Sequence, residues 1–427
     1  MSDSALQFLA GLGSPEELWA LSRQAPPPEP SRAGVNAHIH LPPNFSAFGD
    51  VAQAVELAAA QNVAVLGTSN YYDFRVYDEF AARARRHHIF PLFGLEVIAM
   101  IDRLATAGVK INDPGNPGKM YVCGKGIARF APPNAAASRL LERIRHNDSQ
   151  RMALMGEKLA ALLARHGVRA DLSTAAGVDA VVRRHGCPRE SVCLQERHLA
   201  QACQEAIFAA LPSPADRPAT LEALFAAPSK APPTDVAAVQ NEIRSHLMKA
   251  GKPAFVEETF IPFEQARELI LELGGMPCYP ILADGASPIC GFEDPVETLI
   301  GNVKALGLCC VELIPIRNKP DVLVRYATAM RQAGLIVMGG TEHNTPDLLP
   351  LEPTCLGGTG VPESVRKLFW EGAHIAAAHQ FLTAHNHCGY VTAAGEKNPA
   401  YAADEERIKA FASLGAAVVE KAAGCRL

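Results

Sequence analysis

His38 and His40 stand two apart in VNAHIH, residues 35–40, a short apolar run that reads as a buried strand. Strand alternation sends both imidazoles to one face, and two neutral imidazoles side by side are half of a metal site. A full site needs further donors. Glu96 offers a carboxylate in FGLEVIA, again strand-like, and Glu342 and His343 follow the apolar run of GLIVMGGTEHNTP. Acids and imidazoles at the ends of successive strands are how α/β barrels assemble metal centres at one mouth. The candidate ligands are therefore His38, His40, Glu96, Glu342 and His343. Zinc, manganese or iron, one or two ions per chain, suit such a mixed donor set.

The elements that must position these residues can be read from apolar runs and breakers. Strand-like runs fall at 35–40, 62–68, 89–98, 119–124, 275–282, 308–316 and 335–341. Helical segments alternate with the first of them: DVAQAVELAAAQN opens on Asp50 as an N-cap, and VYDEFAARARRHH closes on basic residues that suit a helix C-terminus. This is the alternation of an α/β fold. Residues 4–23 read as an amphipathic helical arm, followed by the proline-rich linker APPPEPSR at 25–32. From 131 to 254 the pattern is helical throughout, as in SRLLERIRHNDSQRMALMGEKLAALLARHG, with proline-rich loops between helices. After 361, PESVRKLFWEGAHIAAAHQFLTAHN reads as a long helix whose apolar positions pack on the barrel or on a second subunit. His385 and His387 belong to its end, His374 and His379 are five apart and do not share a helix face, and His87 and His88 close a helix in solvent.

The succession strand-HIH, VAVLGTSN, strand-GLE and GGTEHN resembles the PHP (polymerase and histidinol phosphatase) domain family over roughly residues 33–130 and 255–345. The resemblance implies a metal-dependent phosphoesterase on a distorted seven-stranded (β/α)7 barrel. Its H-x-H motif is present as His38 and His40, and its G-x-E motif places Glu96 where the family bridges two ions. Elsewhere the chain departs. The family's T-D-H is Thr68, Ser69 and Asn70 here, with Asp73 the nearest acid, and a histidine before glycine is replaced in MYVCG by Tyr121 or Cys123. A-H-P is replaced in GGMPCYPILADG, where Asp284 is the one ligand or base on offer, and G-S-D-x-H becomes Gly340, Thr341, Glu342, His343 and Asn344. These losses point to one or two ions rather than three.

The resemblance divides the chain into an arm and linker at 1–32, a barrel at 33–130 and 255–360, a helical insertion at 131–254 and a C-terminal helical extension at 361–427. Some family members carry such an insertion over the site, which would let Arg197 and His198 in SVCLQERHLAQAC face a substrate; a surface pair starting a helix is the plainer reading. Arg317 and Asn318 end the strand-like CVELIPIRN, where a guanidinium and an amide suit an oxyanion. Lys119 and Lys125 flank the fourth strand beside a glycine- and proline-rich loop, and the P-loop pattern is absent.

The expected activity is metal-assisted hydrolysis of a small phosphorylated metabolite, with Glu96 and Asp284 at the reacting centre and Arg317 as a clamp. A sugar-acid or lactone hydrolase or isomerase on an amidohydrolase-like barrel is the rival enzyme, although such barrels place histidines in the runs at 275–284 and 308–318, which contain none. A non-catalytic binding module that has lost ligands is the third reading. With 427 residues, 48% hydrophobic and 20% charged, the chain can bury a large core. A net charge of −5 with no basic block gives no nucleic-acid stripe. Eleven cysteines without C-x-x-C suit reduced thiols, and no run has the length of a leader or membrane span, so the expectation is a cytoplasmic protein.

Overall fold

The computed structural model describes residues 5–24 and 34–424. Its strands are β1 Gly34–Ile39, β2 Val63–Thr68, β3 Phe90–Leu92, β4 Gly94–Met100, β5 Lys119–Lys125, β6 Ile261–Pro262, β7 Met276–Ile281, β8 Cys310–Leu313 and β9 Ile336–Gly339. They form two sheets, ordered β1-β2-β3 and β6-β4-β5-β7-β8-β9, with helices between and around them. The fold is α/β; the seven apolar runs supply eight of these strands, and β6 lies outside them.

The extra strands have local causes. The run 89–98 splits at Phe93 because its first half pairs in parallel with β2, whereas its second half turns to pair antiparallel with β5 along its whole length. Gln380 holds the switch point: its Oε1 accepts from Phe93 N at 2.6 Å and its Nε2 donates to Pro91 O at 3.0 Å. A side-chain amide thus replaces a missing neighbouring strand. The connection from β4 to β5 carries only a five-residue helix, Asp102–Thr106. That is too short for a parallel crossover, so the two strands are antiparallel.

The two sheets meet where the chain leaves β9. Thr341 N and Glu342 N both donate to His38 O, at 3.1 and 2.8 Å, and His40 N donates to Glu342 O at 2.9 Å. Only glycine fits at position 340, because a Cβ there would run into the Cβ of His38. β1, β4, β5 and β8 therefore direct His38, Glu96, Lys125 and Glu312 into one interior, and all four side chains are buried.

The segment 131–254 contains helices and no strand, as its pattern predicted, beginning with the 31-residue helix Ala135–Arg165. It has its own apolar cluster, including Met155, Leu159, Leu163, Cys203, Ile207 and Leu221. The expected arm is two helices, Ala5–Ala10 and Pro15–Gln24; the linker at 25–32 lies outside the described residues. After 361 there are two helices, Glu363–Ala384 and Asp404–Ala422, packed on each other. The first also packs on β9 and β1, and every residue from Gly372 to Thr383 is buried, so of the two expected partners for its apolar positions, the barrel or a second subunit, it is this chain's own strands that cover them. Among the described residues, no helix is long and apolar enough to cross a membrane.

Two histidines of that helix are structural. His379 Nε2 donates to Gly274 O at 3.1 Å while its Nδ1 accepts from Tyr390 N at 3.0 Å, which fixes a neutral ring. His374 packs edge-on against Trp370. Burial pushes both down to about 4. In the unfolded chain each titrates near 6.5, so the unfolded state gains protons that the folded state refuses below that pH. Stability is full above about pH 6.5 and is lost as pH falls towards 4. Urea unfolding should therefore give a lower free energy at pH 5 than at pH 7.5, with a shallower pH dependence in His379→Gln; an unchanged slope in that variant would refute this account.

Candidate metal centre and its cleft

His38 and His40 project from the same face of β1, as alternation requires, and Glu96 reaches them from β4. His38 Nε2 lies 3.3 Å from His40 Nε2, and Glu96 Oε2 lies 3.7 Å from the first and 3.1 Å from the second. A tetrahedral ion with ~2.1 Å bonds needs its ligands about 3.4 Å apart. The three donors fit that spacing. Glu96 Oε2 and His40 Nδ1 are buried without a hydrogen-bond partner among the described residues, and Tyr71 stacks on the His40 ring at 5.1 Å. Burial alone would raise the Glu96 carboxyl, but His38 and His40 hold it well below the usual carboxylate range. An anionic oxygen beside two imidazole nitrogens, with no proton donor in hydrogen-bonding geometry, is a donor set suited to a cation.

Behind the centre runs a chain of buried polar groups. His38 Nδ1 meets Glu312 Oε2 at 2.7 Å, and Glu312 Oε1 accepts from Lys125 Nζ at 2.7 Å. Lys125 spends its other donors on Ala37 O at 2.9 Å and Ser69 Oγ at 3.2 Å. Nδ1 is held by Glu312, which leaves His38 Nε2 facing His40 and Glu96. This is how a metal-binding histidine is normally oriented. Burial opposes a charge on His38, but Glu312 and Cys123 together hold it well above its ordinary value, so an ion at Nε2 would displace a proton. A second cluster, His38, Cys123 and Glu312, is the weaker candidate. It would use the Nδ1 that Glu312 already holds, and burial pushes the Cys123 thiol up to about 12, leaving it uncharged.

Glu96 forms part of the floor of a cleft of about 500 Å³ lined on one side by strand ends and on the other by the helical segment 131–254. On the strand side Arg317 pairs with Glu342, which also accepts from Asn344 Nδ2 at 2.9 Å. Lys119 Nζ lies 2.7 Å from Glu258 Oε2 and 3.2 Å from Asp113 Oδ2. From the helical side comes Asp148, a carboxyl with no hydrogen bond or ion pair to the described residues, which burial pushes up to about 7.

The residues expected from the sequence fall into three groups. His38, His40 and Glu96 converge, and of these Glu96 lines the cleft, together with Arg317, Lys119, Arg197 and Glu342; His38 and His40 lie buried behind it. Others serve the fold. His343 uses both ring nitrogens, on Thr341 Oγ1 at 2.7 Å and Leu349 O at 2.9 Å, and stacks on Phe48, so it has no lone pair for an ion. Asp284 accepts from Asn318 Nδ2 at 2.9 Å and Lys319 N at 3.2 Å at the start of helix Pro320–Gln332, and Asn318 also donates to Leu282 O; neither residue is among those that line the cleft. His198 caps its own helix by accepting from Gln195 N at 3.1 Å, and burial pushes it down to about 3. Lys125 is fully buried behind His38 and cannot touch a substrate. The third group was missed: Glu312 and Lys125 as a buried pair, Tyr71, Asp148 and Arg244. An acid inside the apolar run CVEL was the one signal available.

No protein-family model and no curated protein matches the chain. Solved structures do. A protein from Bifidobacterium adolescentis named as a metal-dependent phosphoesterase aligns over 79% of this chain and 95% of its own, with 17% identity and a TM-score of 0.50. An amidohydrolase from Chromobacterium violaceum, with sulfate bound and no metal, aligns over 76% and 94%, with 19% identity and a TM-score of 0.48. At these identities the likeness concerns the fold.

Removing Lys125 should act on the centre through Glu312. Lys125→Met is expected to weaken zinc binding, measured by chelator competition, by about 10- to 100-fold. The same substitution should add little in a Glu312→Gln background, and additive losses would show that Lys125 does not work through Glu312.

Proposed function

We propose that this chain is a metal-dependent hydrolase of the PHP type that cleaves a phosphoester of a small metabolite. The observation that carries the proposal is the convergence of His38 Nε2, His40 Nε2 and Glu96 Oε2 within 3.7 Å of one another, with Glu96 also lining a cleft. On this reading the two sheets are parts of one distorted barrel, joined where Glu342 pairs with β1, and the segment 131–254 is an insertion that roofs the mouth. His38, His40 and Glu96 would hold the ion. Held by these residues, a divalent ion would supply Lewis-acid chemistry suited to a phosphoryl group and a water made more acidic.

The chain's own groups do the rest. Glu312 and Lys125 fix the orientation of His38, and Tyr71 closes one face of His40. Arg317 and Glu342 hold each other at the rim, so the guanidinium is presented in a fixed position. Asp148, raised to about 7, is present both with and without its proton near neutrality. A carboxyl so poised can give a proton to the departing alkoxide and take one back afterwards. The lactone or amide reading has less support, because the central strands turn Cys278 and Glu312 inward where such barrels place histidines. A binding module without catalysis leaves the unpaired Asp148 without a role.

Chelator-treated protein should regain phosphomonoester hydrolysis with zinc, manganese or ferrous iron. His38→Ala should regain none. Asp148→Asn should keep its metal affinity and lose about 10²-fold or more in kcat, the worth of a positioned general acid. Turnover of sugar lactones with none of phosphomonoesters would move the assignment to the rival chemistry.

A further inference from the structure

The roof of the cleft carries positive charge that the protein does not neutralise. Arg197 is half-buried, lines the cleft, and has no hydrogen bond or ion pair to the described residues; its guanidinium lies 6.0 Å from the Phe45 ring centroid. It occupies the second position of helix Glu196–Ala210, where the helix dipole opposes a cation. Arg244 lies close by, in a π-helical turn, Arg244–Met248, at the end of helix Val236–Ile243. Such turns recur at functional sites. Its one ion pair is a 3.4 Å contact with Glu196, a carboxylate that already holds Lys249 at 2.8 Å and Arg151 at 2.7 Å, and its Nε is buried without a partner. Arg151 has Glu258 at 3.5 Å as a second partner. Arg244 and Lys249 therefore share Glu196 with Arg151, and the one carboxylate that acts on Arg197, Glu342, is already paired with Arg317.

Two guanidinium groups side by side repel, and burial makes the repulsion worse. Arg197 shows it: burial, then the neighbouring Arg244, push it down to about 10. A fold gains nothing by holding this arrangement empty. A dianion between the two forks would match the excess charge and the unsatisfied donors together.

We propose that Arg197 and Arg244, with Lys249, form a subsite for a phosphate dianion on the roof of the cleft, apart from the donor cluster that includes Glu96 at its floor. Taken with the phosphoester reading, on which this step rests, the substrate is a small metabolite with a second, non-reacting phosphate held by the roof while the ester is cleaved at the floor. The cleft, at about 500 Å³, has room for a ligand of that size.

The test is calorimetric titration of inorganic phosphate into full-length, chelator-treated protein, so that no ion at the floor contributes. One saturable site per chain is expected, weakened at least about tenfold in Arg197→Gln and in Arg244→Gln and unchanged in His38→Ala. Because Arg197 has no hydrogen bond or ion pair to the described residues to lose, and only a distant contact with the Phe45 ring, Arg197→Gln should melt no lower than the wild type, which separates a binding role from a structural one. Absence of saturable binding, loss of it in His38→Ala, or equal binding of acetate would overturn the subsite. Phosphate binding at the roof in a protein that hydrolyses no phosphoester would leave the subsite standing and remove the hydrolase reading instead.

Discussion

Everything at the floor of the cleft depends on one buried ion pair, Lys125 with Glu312, in which both side chains are fully excluded from solvent. An ammonium and a carboxylate so placed are tolerated only if every donor and acceptor is used. Here they are. Lys125 ties β5 to β8 through Glu312, to β1 through Ala37 O and to the end of β2 through Ser69, and the free oxygen of Glu312 takes His38. Losing one partner of such a pair typically costs about 3–5 kcal/mol, because the other charge is left unmatched. An apolar core of the same shape would hold the strands as well or better. What it would not do is present a histidine nitrogen, in one orientation, to a second histidine and a glutamate.

The same constraint explains why the metal ligands sit on regular strands while the cleft's other residues do not. His38, His40 and Glu96 lie on or directly after β1 and on β4; β1 is held by its ladder with β2 and by bonds to Thr341 and Glu342, and β4 by its ladder with β5. Substrate-facing groups come from less regular places. Glu342 adopts left-handed backbone just after β9, and Arg197 and Arg244 stand at helix ends. On the proposed function, rigid strands would fix the ion and chain ends would supply the contacts to substrate.

Legibility in the sequence followed the same division. The H-x-H pair and Glu96 could be read because strand periodicity fixes which way a side chain points. Past Gly339 the strand ends, periodicity no longer applies, and the left-handed turn at 342 and 343 sends Glu342 to Arg317 and His343 to Thr341, so the two were wrongly grouped as ligands. Lys125 was read as a surface binder because a lone lysine near a glycine-rich loop is usually exposed. Its partner Glu312 lies 187 residues away, and no local pattern announces such a pairing. Asp284 and Asn318 were attractive singly and are spent on each other. The α/β alternation and the helical character of 131–254 were visible in composition and spacing, whereas the break at Phe93 was not, since it depends on Gln380 from a helix far along the chain.

The central claim is that His38, His40 and Glu96 hold a catalytic cation. The most direct measurement is anomalous diffraction from crystals of the manganese- or zinc-loaded protein. The account predicts an anomalous peak ~2.1 Å from His38 Nε2, from His40 Nε2 and from a Glu96 carboxylate oxygen. A peak bound through Cys123, or protein that takes up no ion at this position under saturating metal, would contradict it.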